Sequence, residues 1–283
     1  MTRTTNADAE RVCELLSTFK LPTVAAELVR RLVGAGLVEA LPVVCEVLEQ
    51  EAHDRKERRI ERLRKASKLP LQKTFTTLDL ARFPKSFEHR IRELCNGAFV
   101  ERADNVLCFG LPGYGKTHVA CALGHTLVEH GHAVIFYPAY QLVQELLAAK
   151  RDLSLPKMLR SLDAFDVLIV DDIGYVQHSS DEAEVLFTLL SERYERKSVV
   201  ITSNLVFSQW DRIFKNPMAT AAAIDRVVHH STILEFPGPS VRAQAAKQRA
   251  TTTDDNNEET KTPTKISDTD DATKSREPTR KGR

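Results

Sequence analysis

The sequence predicts an α/β protein: a parallel five-stranded sheet wound with helices, preceded by a small all-α region and followed by a disordered tail. Three observations predict it. Short, continuous runs rich in β-branched residues recur between residues 105 and 236, as strands buried on both faces require. Amphipathic stretches separate those runs, and strand–helix alternation makes a parallel sheet. A glycine-rich loop, "FGLPGYGKTH", joins the first run to the helix after it.

The elements follow in order. Through residues 1–99 the apolar side chains recur at helical spacing, with Leu41, Val44, Leu48 and Ala52 on one face. Pro42 suits the first turn of that helix, and Pro70 ends the run. The second region, 100–249, holds the expected strands Val106–Phe109, Ala133–Tyr137, Val167–Asp172, Ser198–Ser203 and Thr232–Phe236. Helices are expected at Thr117–Glu129, Gln141–Lys150 and Asp181–Glu195, the last capped by Ser179 or Ser180. Residues 250–283 contain one isoleucine and no aromatic residue, too little apolar surface to order themselves.

Composition narrows the class. The 283 residues carry a formal net charge of only +1, so no global excess announces a polyanionic partner. Five cysteines without a C-x-x-C spacing favour reduced thiols in a cytoplasmic protein over a zinc site or a disulfide framework. No apolar run approaches the ~18 residues of a membrane span, and no membrane partner is expected.

The loop fits G-x-x-x-x-G-K-[ST]. Between Gly110 and His118, the residues Leu111, Pro112, Gly113, Tyr114 and Gly115 let backbone N–H groups turn inward around a polyphosphate. Lys116 reaches its terminal oxygens, Thr117 offers a hydroxyl to Mg²⁺, and the helix beginning there adds its positive dipole end. The run "DVLIVDDIG" supplies the second half of such a site. Asp171 at the end of a buried strand is expected to bind the metal, and Asp172 to orient the attacking water. The strand "VVITSN" brings Ser203 and Asn204 to the same sheet edge, where Asn204 positions that water. No N-K-x-D loop reads guanine, so ATP is favoured over GTP.

These elements, with "NLVFSQW" and "AAIDRVVHHSTILEFPGPSVR" further on, resemble the IstB family of transposition helper ATPases, relatives of bacterial helicase loaders within the AAA+ class. The similarity runs from "FKLPTVAAEL" through "PLQKTF" to about Arg242, leaving the tail outside. It implies a sheet of order 5-1-4-3-2, ATP-dependent oligomerisation on duplex DNA, and a partner transposase. It implies also that Arg226 reaches the γ-phosphate of a neighbouring subunit and that Arg242 is a second sensor. Tyr114 and Val241 depart from the family pattern, which has a small hydroxyl residue and an aromatic residue there.

DNA contacts are expected from the helical region. The stretch from Asp54 to Lys73 carries nine Lys/Arg against three acidic residues, and Arg58, Arg59, Arg62, Arg64, Lys65 and Lys68 spread around one helix. Pairs Asp54–Arg58 and Glu61–Lys65 at i,i+4 spacing would make it simply a solvated helix. A second basic group is Lys150, Arg151, Lys157 and Arg160. Both suit phosphates more than base edges. A helicase loader is the alternative within the fold, and a small-molecule kinase the alternative outside it.

Overall fold

Five short strands organise the chain. In the computed structural model, which describes residues 2–174, 179–214 and 217–237, these are β1 (Asn105–Phe109), β2 (Val134–Pro138), β3 (Val167–Asp171), β4 (Ser198–Ser203) and β5 (Ser231–Glu235). They pair in the order β2-β3-β4-β1-β5, every pair parallel, which is the expected 5-1-4-3-2 counted from the other edge. Each strand lies within a residue or two of its predicted run.

Helices cover both faces because alternate side chains of each strand point opposite ways. On one side Leu107, Ile135, Leu168, Val170, Val199 and Ile201 share a core with α7 (Ala139–Arg151), α8 (Leu155–Asp163), α9 (Ser180–Arg193), α10 (Asp211–Phe214) and α11 (Pro217–Val228). On the other, Val106, Cys108, Phe136, Ile169, Val200 and Leu234 pack against α6 (Lys116–Glu129) and α4 (Lys85–Cys95). That second core also takes in Ile60, Leu69 and Phe83, and Phe99 on the short α5 (Ala98–Glu101).

Upstream, α1 (Thr2–Thr18), α2 (Pro22–Gly34) and the first half of α3 (Leu41–Ala66) form a separate small core. Val12, Leu16 and Cys45 are buried in it, with Val44 and Leu48 packed against them, so the face predicted from Leu41, Val44 and Leu48 is the one that α3 uses. Pro42 stands in the first turn of α3. The helix leaves that core and lays Ile60 against the sheet's second face. Just beyond its end, the Phe136 N–H on edge strand β2 donates to Ser67 O at 2.8 Å.

Ser179 caps α9 through a reciprocal capping box with Glu182, which settles the two serines considered from sequence. Helix α8 is an addition to the predicted set. Arg193, buried at 2% exposure, fastens it by donating to Leu162 O and also to Phe165 O, Asp166 O and Ser198 O. Burial pushes that guanidinium down to about 10.

No helix among the described residues is long and apolar enough to cross a membrane. Arg242 and the whole tail from residue 250 lie outside the described residues.

At the amino edge of the sheet Asn105 joins three elements. Its Nδ2 donates to Val227 O at 3.1 Å, and its Oδ1 accepts from Val199 N at 2.9 Å. Truncation would leave two buried backbone groups unpaired, at about 1–3 kcal/mol each. Asn105→Ala is therefore expected to lose about 2 kcal/mol or more, read as a lower urea midpoint at unchanged slope.

Candidate functional site

The site begins where β1 ends, at the centre of the sheet's carboxyl edge. Gly110 is required there by space: a Cβ on it would stand 2.9 Å from the Cβ of Phe236. Its N–H donates to Ser203 O at 3.3 Å, so the loop leaves β1 wedged between the ends of β4 and β5. Gly115 is required by conformation instead. With φ +95° it forms the N-cap of α6, a left-handed position that disfavours any side chain.

Gly115 has no side chain to cap the first turn of α6, whose N–H groups and positive dipole end point back toward the loop. Lys116 folds back over the same loop, its Nζ donating to Gly110 O at 2.7 Å and to Leu111 O at 3.0 Å. Leu111 and Pro112 are exposed at the tip, whereas Gly113 and Thr117 are half-buried. Tyr114, where the family pattern has a small residue, packs its ring partly buried against the second core. His118 is engaged elsewhere, with Nε2 at 3.0 Å from Thr74 O and 3.1 Å from Thr77 Oγ1. It thereby holds the 74–77 turn against the first turn of α6.

The aspartates stand across the same edge. Asp171 ends β3, which is two strands from β1, or ~10 Å at the usual strand spacing. Thr202 on the intervening β4 fixes its carboxylate. The Thr202 hydroxyl, fully buried, donates to Asp171 Oδ1 at 2.7 Å and accepts from Asp172 N at 2.8 Å. Asp172 turns the chain out of the strand with φ +65° and is exposed. Cys108 is buried inside β1. Burial, above all, pushes its thiol up to about 12; the Asp171 charge adds to the rise, and the Lys116 charge opposes it.

Asn204 follows β4, and its Oδ1 is buried without a hydrogen-bond partner among the described residues. Gly174, after the aspartates, gives it room: a Cβ there would lie 2.8 Å from that oxygen. Arg226 lies elsewhere. It sits on α11, only a few residues before β5 starts, at the amino edge of the sheet. Strand β1 alone separates the two edges by ~17 Å at ~3.3 Å per residue. Its Nη1 donates to Ser191 Oγ at 3.1 Å and its guanidinium lies 4.9 Å from the Phe187 ring centroid. Neither Asp225 nor Glu235, the acidic residues near it in the chain, supplies those contacts.

The residues fit a magnesium polyphosphate. The N-terminus of α6, a lysine over the loop and left-handed glycines suit phosphate oxygens. The Thr117 hydroxyl and the Asp171 carboxylate are the oxygen ligands such an ion prefers. Thr202 is the member of the site that sequence reading passed over. Its signal was its place between the two aspartates' strand and the loop's strand, visible only once strand order is known.

The basic residues of α3 divide into two sets. Arg64 bridges Glu61 at 2.8 Å and Glu129 at 2.6 Å, and Arg59 donates to Gly131 O at 3.1 Å. Lys68 donates to Tyr137 Oη at 2.7 Å while covering the same ring. Arg64 and Arg59 thus fasten α3 to α6 and the turn after it, and Lys68, just past the end of α3, fastens the following segment to β2. All six are exposed, but Arg58, Arg62 and Lys65 have their partners within α3: Arg58 pairs with Glu51 at 3.2 Å, Lys65 with Glu61 at 3.4 Å, and Arg62 Nε donates to Arg58 O at 3.3 Å. The expected Glu61–Lys65 pair is present, whereas Asp54 accepts from Gln50 in place of Arg58. In the second group Lys150 pairs with Glu184 at 2.8 Å, and Arg151, Lys157 and Arg160 are exposed.

A loop of this kind on a parallel sheet of order β2-β3-β4-β1-β5 defines an ATP-binding protein of the AAA+ class. The fold matches AMPPCP-bound DnaA from Aquifex aeolicus with TM-score 0.52 at 15% identity, over 66% of this chain and 57% of that one. Within the class, the family of IstB-like ATP binding proteins matches residues 21–250, and this chain belongs to it. It is 40% identical over 203 residues to a putative insertion sequence ATP-binding protein of Sinorhizobium fredii, covering 71% of this chain and 68% of the relative. It is likewise 40% identical over 205 residues to the insertion sequence IS21 putative ATP-binding protein of Pseudomonas aeruginosa, covering 72% and 77%.

Thr202→Val is expected to raise the Mg²⁺ needed for half-maximal ATP binding about tenfold, equivalent to ~1.4 kcal/mol. Binding of ATP without metal should stay unchanged, and Thr202→Ser should restore the magnesium dependence; fluorescent-nucleotide titrations at varied Mg²⁺ measure both.

Proposed function

We propose that this protein is a magnesium-dependent ATPase that assembles as a homo-oligomer on duplex DNA and assists a transposase in DNA transposition. One observation carries the reading. The loop lysine and Asp171 converge at the carboxyl edge, while Arg226 stands at the opposite edge of the same sheet. An arginine there cannot reach its own chain's phosphates. It serves a γ-phosphate only when the next subunit brings one to it, so hydrolysis depends on assembly.

The residues take the following roles in this reading. Residues 110–118 hold the triphosphate through backbone N–H groups and Lys116, with Arg242 as the second sensor implied by the family. Thr117 and Asp171 hold Mg²⁺, which when bound neutralises charge on the β- and γ-oxygens. Asp172, exposed at its turn, accepts the proton of the attacking water, and Asn204 orients that water. In this reading the helical region of residues 1–99 meets DNA or a partner, residues 100–249 are the ATPase domain, and residues 250–283 are a tail outside both. The DNA surface is reduced from the sequence expectation to Arg58, Arg62 and Lys65, with Arg151, Lys157 and Arg160 as the second patch. Arg59, Arg64 and Lys68 are tied to other elements of the chain, as is Lys150, whereas Arg58 and Lys65 pair only with residues of α3 itself. Contacts of this kind go to phosphates, so affinity falls steeply with salt and varies little with sequence.

Lys116→Ala is expected to abolish ATP-dependent assembly on duplex DNA, seen by electron microscopy or light scattering. Assembly equal to the unaltered protein would count against the mechanism, and recruitment of a helicase instead of a transposase in a pull-down would favour a loader. Arg226→Ala should bind ATP normally and lose turnover by on the order of 10³-fold. Mixing it with Lys116→Ala protein should restore part of that turnover, because each supplies what the other lacks.

A further inference from the structure

The turns entering β4 and β5 come together at the edge of the sheet opposite the nucleotide loop. Glu195 lies between α9 and β4, and His229 and His230 lie between α11 and β5. Strand β1 separates β4 from β5, and its first residue ties the two turns: Asn105 N donates to His230 O at 2.7 Å, while its side chain reaches Val227 and Val199. The convergence is therefore fixed by one main-chain hydrogen bond and two from the buried Asn105 side chain to backbone, whatever the exposed side chains do.

We infer that Glu195, His229 and His230 bind one divalent ion of a late transition metal, of which zinc is the natural probe. One ligand atom from each residue lies within 4.8 Å of the others, and all three side chains are exposed. Zinc takes nitrogen and oxygen ligands at ~2.0–2.2 Å, which sets ligand atoms ~3.3 Å apart in a tetrahedron. Small side-chain rotations at a surface close that difference. Two imidazoles with one carboxylate suit zinc, cobalt or nickel, whereas magnesium prefers a wholly oxygen set. The fourth position faces solvent and takes water.

The surroundings supply an outer shell. Tyr194 Oη lies 3.0 Å from His229 Nδ1. With that nitrogen donating its hydrogen to the hydroxyl, Nε2 presents its lone pair outward, the arrangement that metal-binding histidines use. Without an ion, His230 Nε2 and Glu195 Oε1 stand 4.0 Å apart, a distance that an ion between them would replace with two short bonds.

The site has a mechanical meaning. Arg226 is on the last turn of α11, three residues before His229, and already donates to Ser191 on α9. A metal between Glu195 and the histidine pair would fasten the end of α9 to the end of α11 a second time. It would hold the arginine-bearing turn in one position relative to the sheet.

Zinc titration of the full chain, with Mg²⁺ in large excess to saturate the nucleotide site, tests the proposal by equilibrium dialysis and metal analysis. One equivalent is expected to bind. His230→Ala and Glu195→Gln should each weaken it at least about tenfold, while Asp171→Asn should not change it. Cobalt substitution should give the ligand-field bands of nitrogen and oxygen ligands without a thiolate charge-transfer band. Thermal melts of the variants, equal to the parent without metal, separate lost ligation from lost folding. Zinc affinity of the double variant His229→Ala/His230→Ala within twofold of the parent, or a thiolate band from the cobalt complex, would overturn the assignment.

Discussion

Everything at the nucleotide site depends on β1 lying between β4 and β5. That position delivers Gly110 to the middle of the sheet's carboxyl edge, close enough to Phe236 that no Cβ fits. It also places β4 between the loop's strand and the aspartates' strand. One threonine on β4 can then steer Asp171 with its hydroxyl and hold the turn at Asp172 with the same oxygen. A different strand order would leave the same motifs in the sequence and no pocket between them. The motifs specify chemistry, and the order of pairing makes them meet.

The helical region is bound to this sheet by polar contacts as well as by apolar burial. Ile60 and Leu69 enter the second core, and Arg64, Arg59 and Lys68 secure the end of α3 to Glu129, Gly131 and Tyr137. An exposed ion pair contributes little, about 0–1 kcal/mol, so the apolar contacts set the strength and the charges set the angle. The angle matters because the outward cations of α3 keep a fixed direction relative to the loop. His118 adds a shorter link, from the first turn of α6 to the 74–77 turn that follows α3. The first turn of α6 is thereby held directly against the segment that leads away from the basic helix.

Much of the architecture was legible in the sequence. Buried parallel strands read as continuous β-branched runs, so "VLCF", "VLIVD" and "SVVITS" located themselves to within a residue or so. The loop was legible because its glycines are required by geometry, at Gly110 by space and at Gly115 by conformation. Helix α8 was not: its nine residues follow a left-handed Leu153, and much of what holds it is Arg193, thirty residues further on. Thr202 was passed over because a threonine in a strand is ordinary until its neighbours are known. The cations of α3 looked alike in sequence, and only packing divided those that fasten the helix from those that face outward. His118 appeared to belong to the loop by position, and its ring belongs to the segment beside it.

Edge strand β2 ends in a different circumstance from β5. At Phe136 its outward amide is already taken by Ser67, and the chain after α3 lies along that side of the sheet. A sheet so covered cannot recruit another chain by adding strands there, the route through which exposed edges lead to aggregates. Any molecule that meets this side therefore does so through side chains and not by extending the sheet.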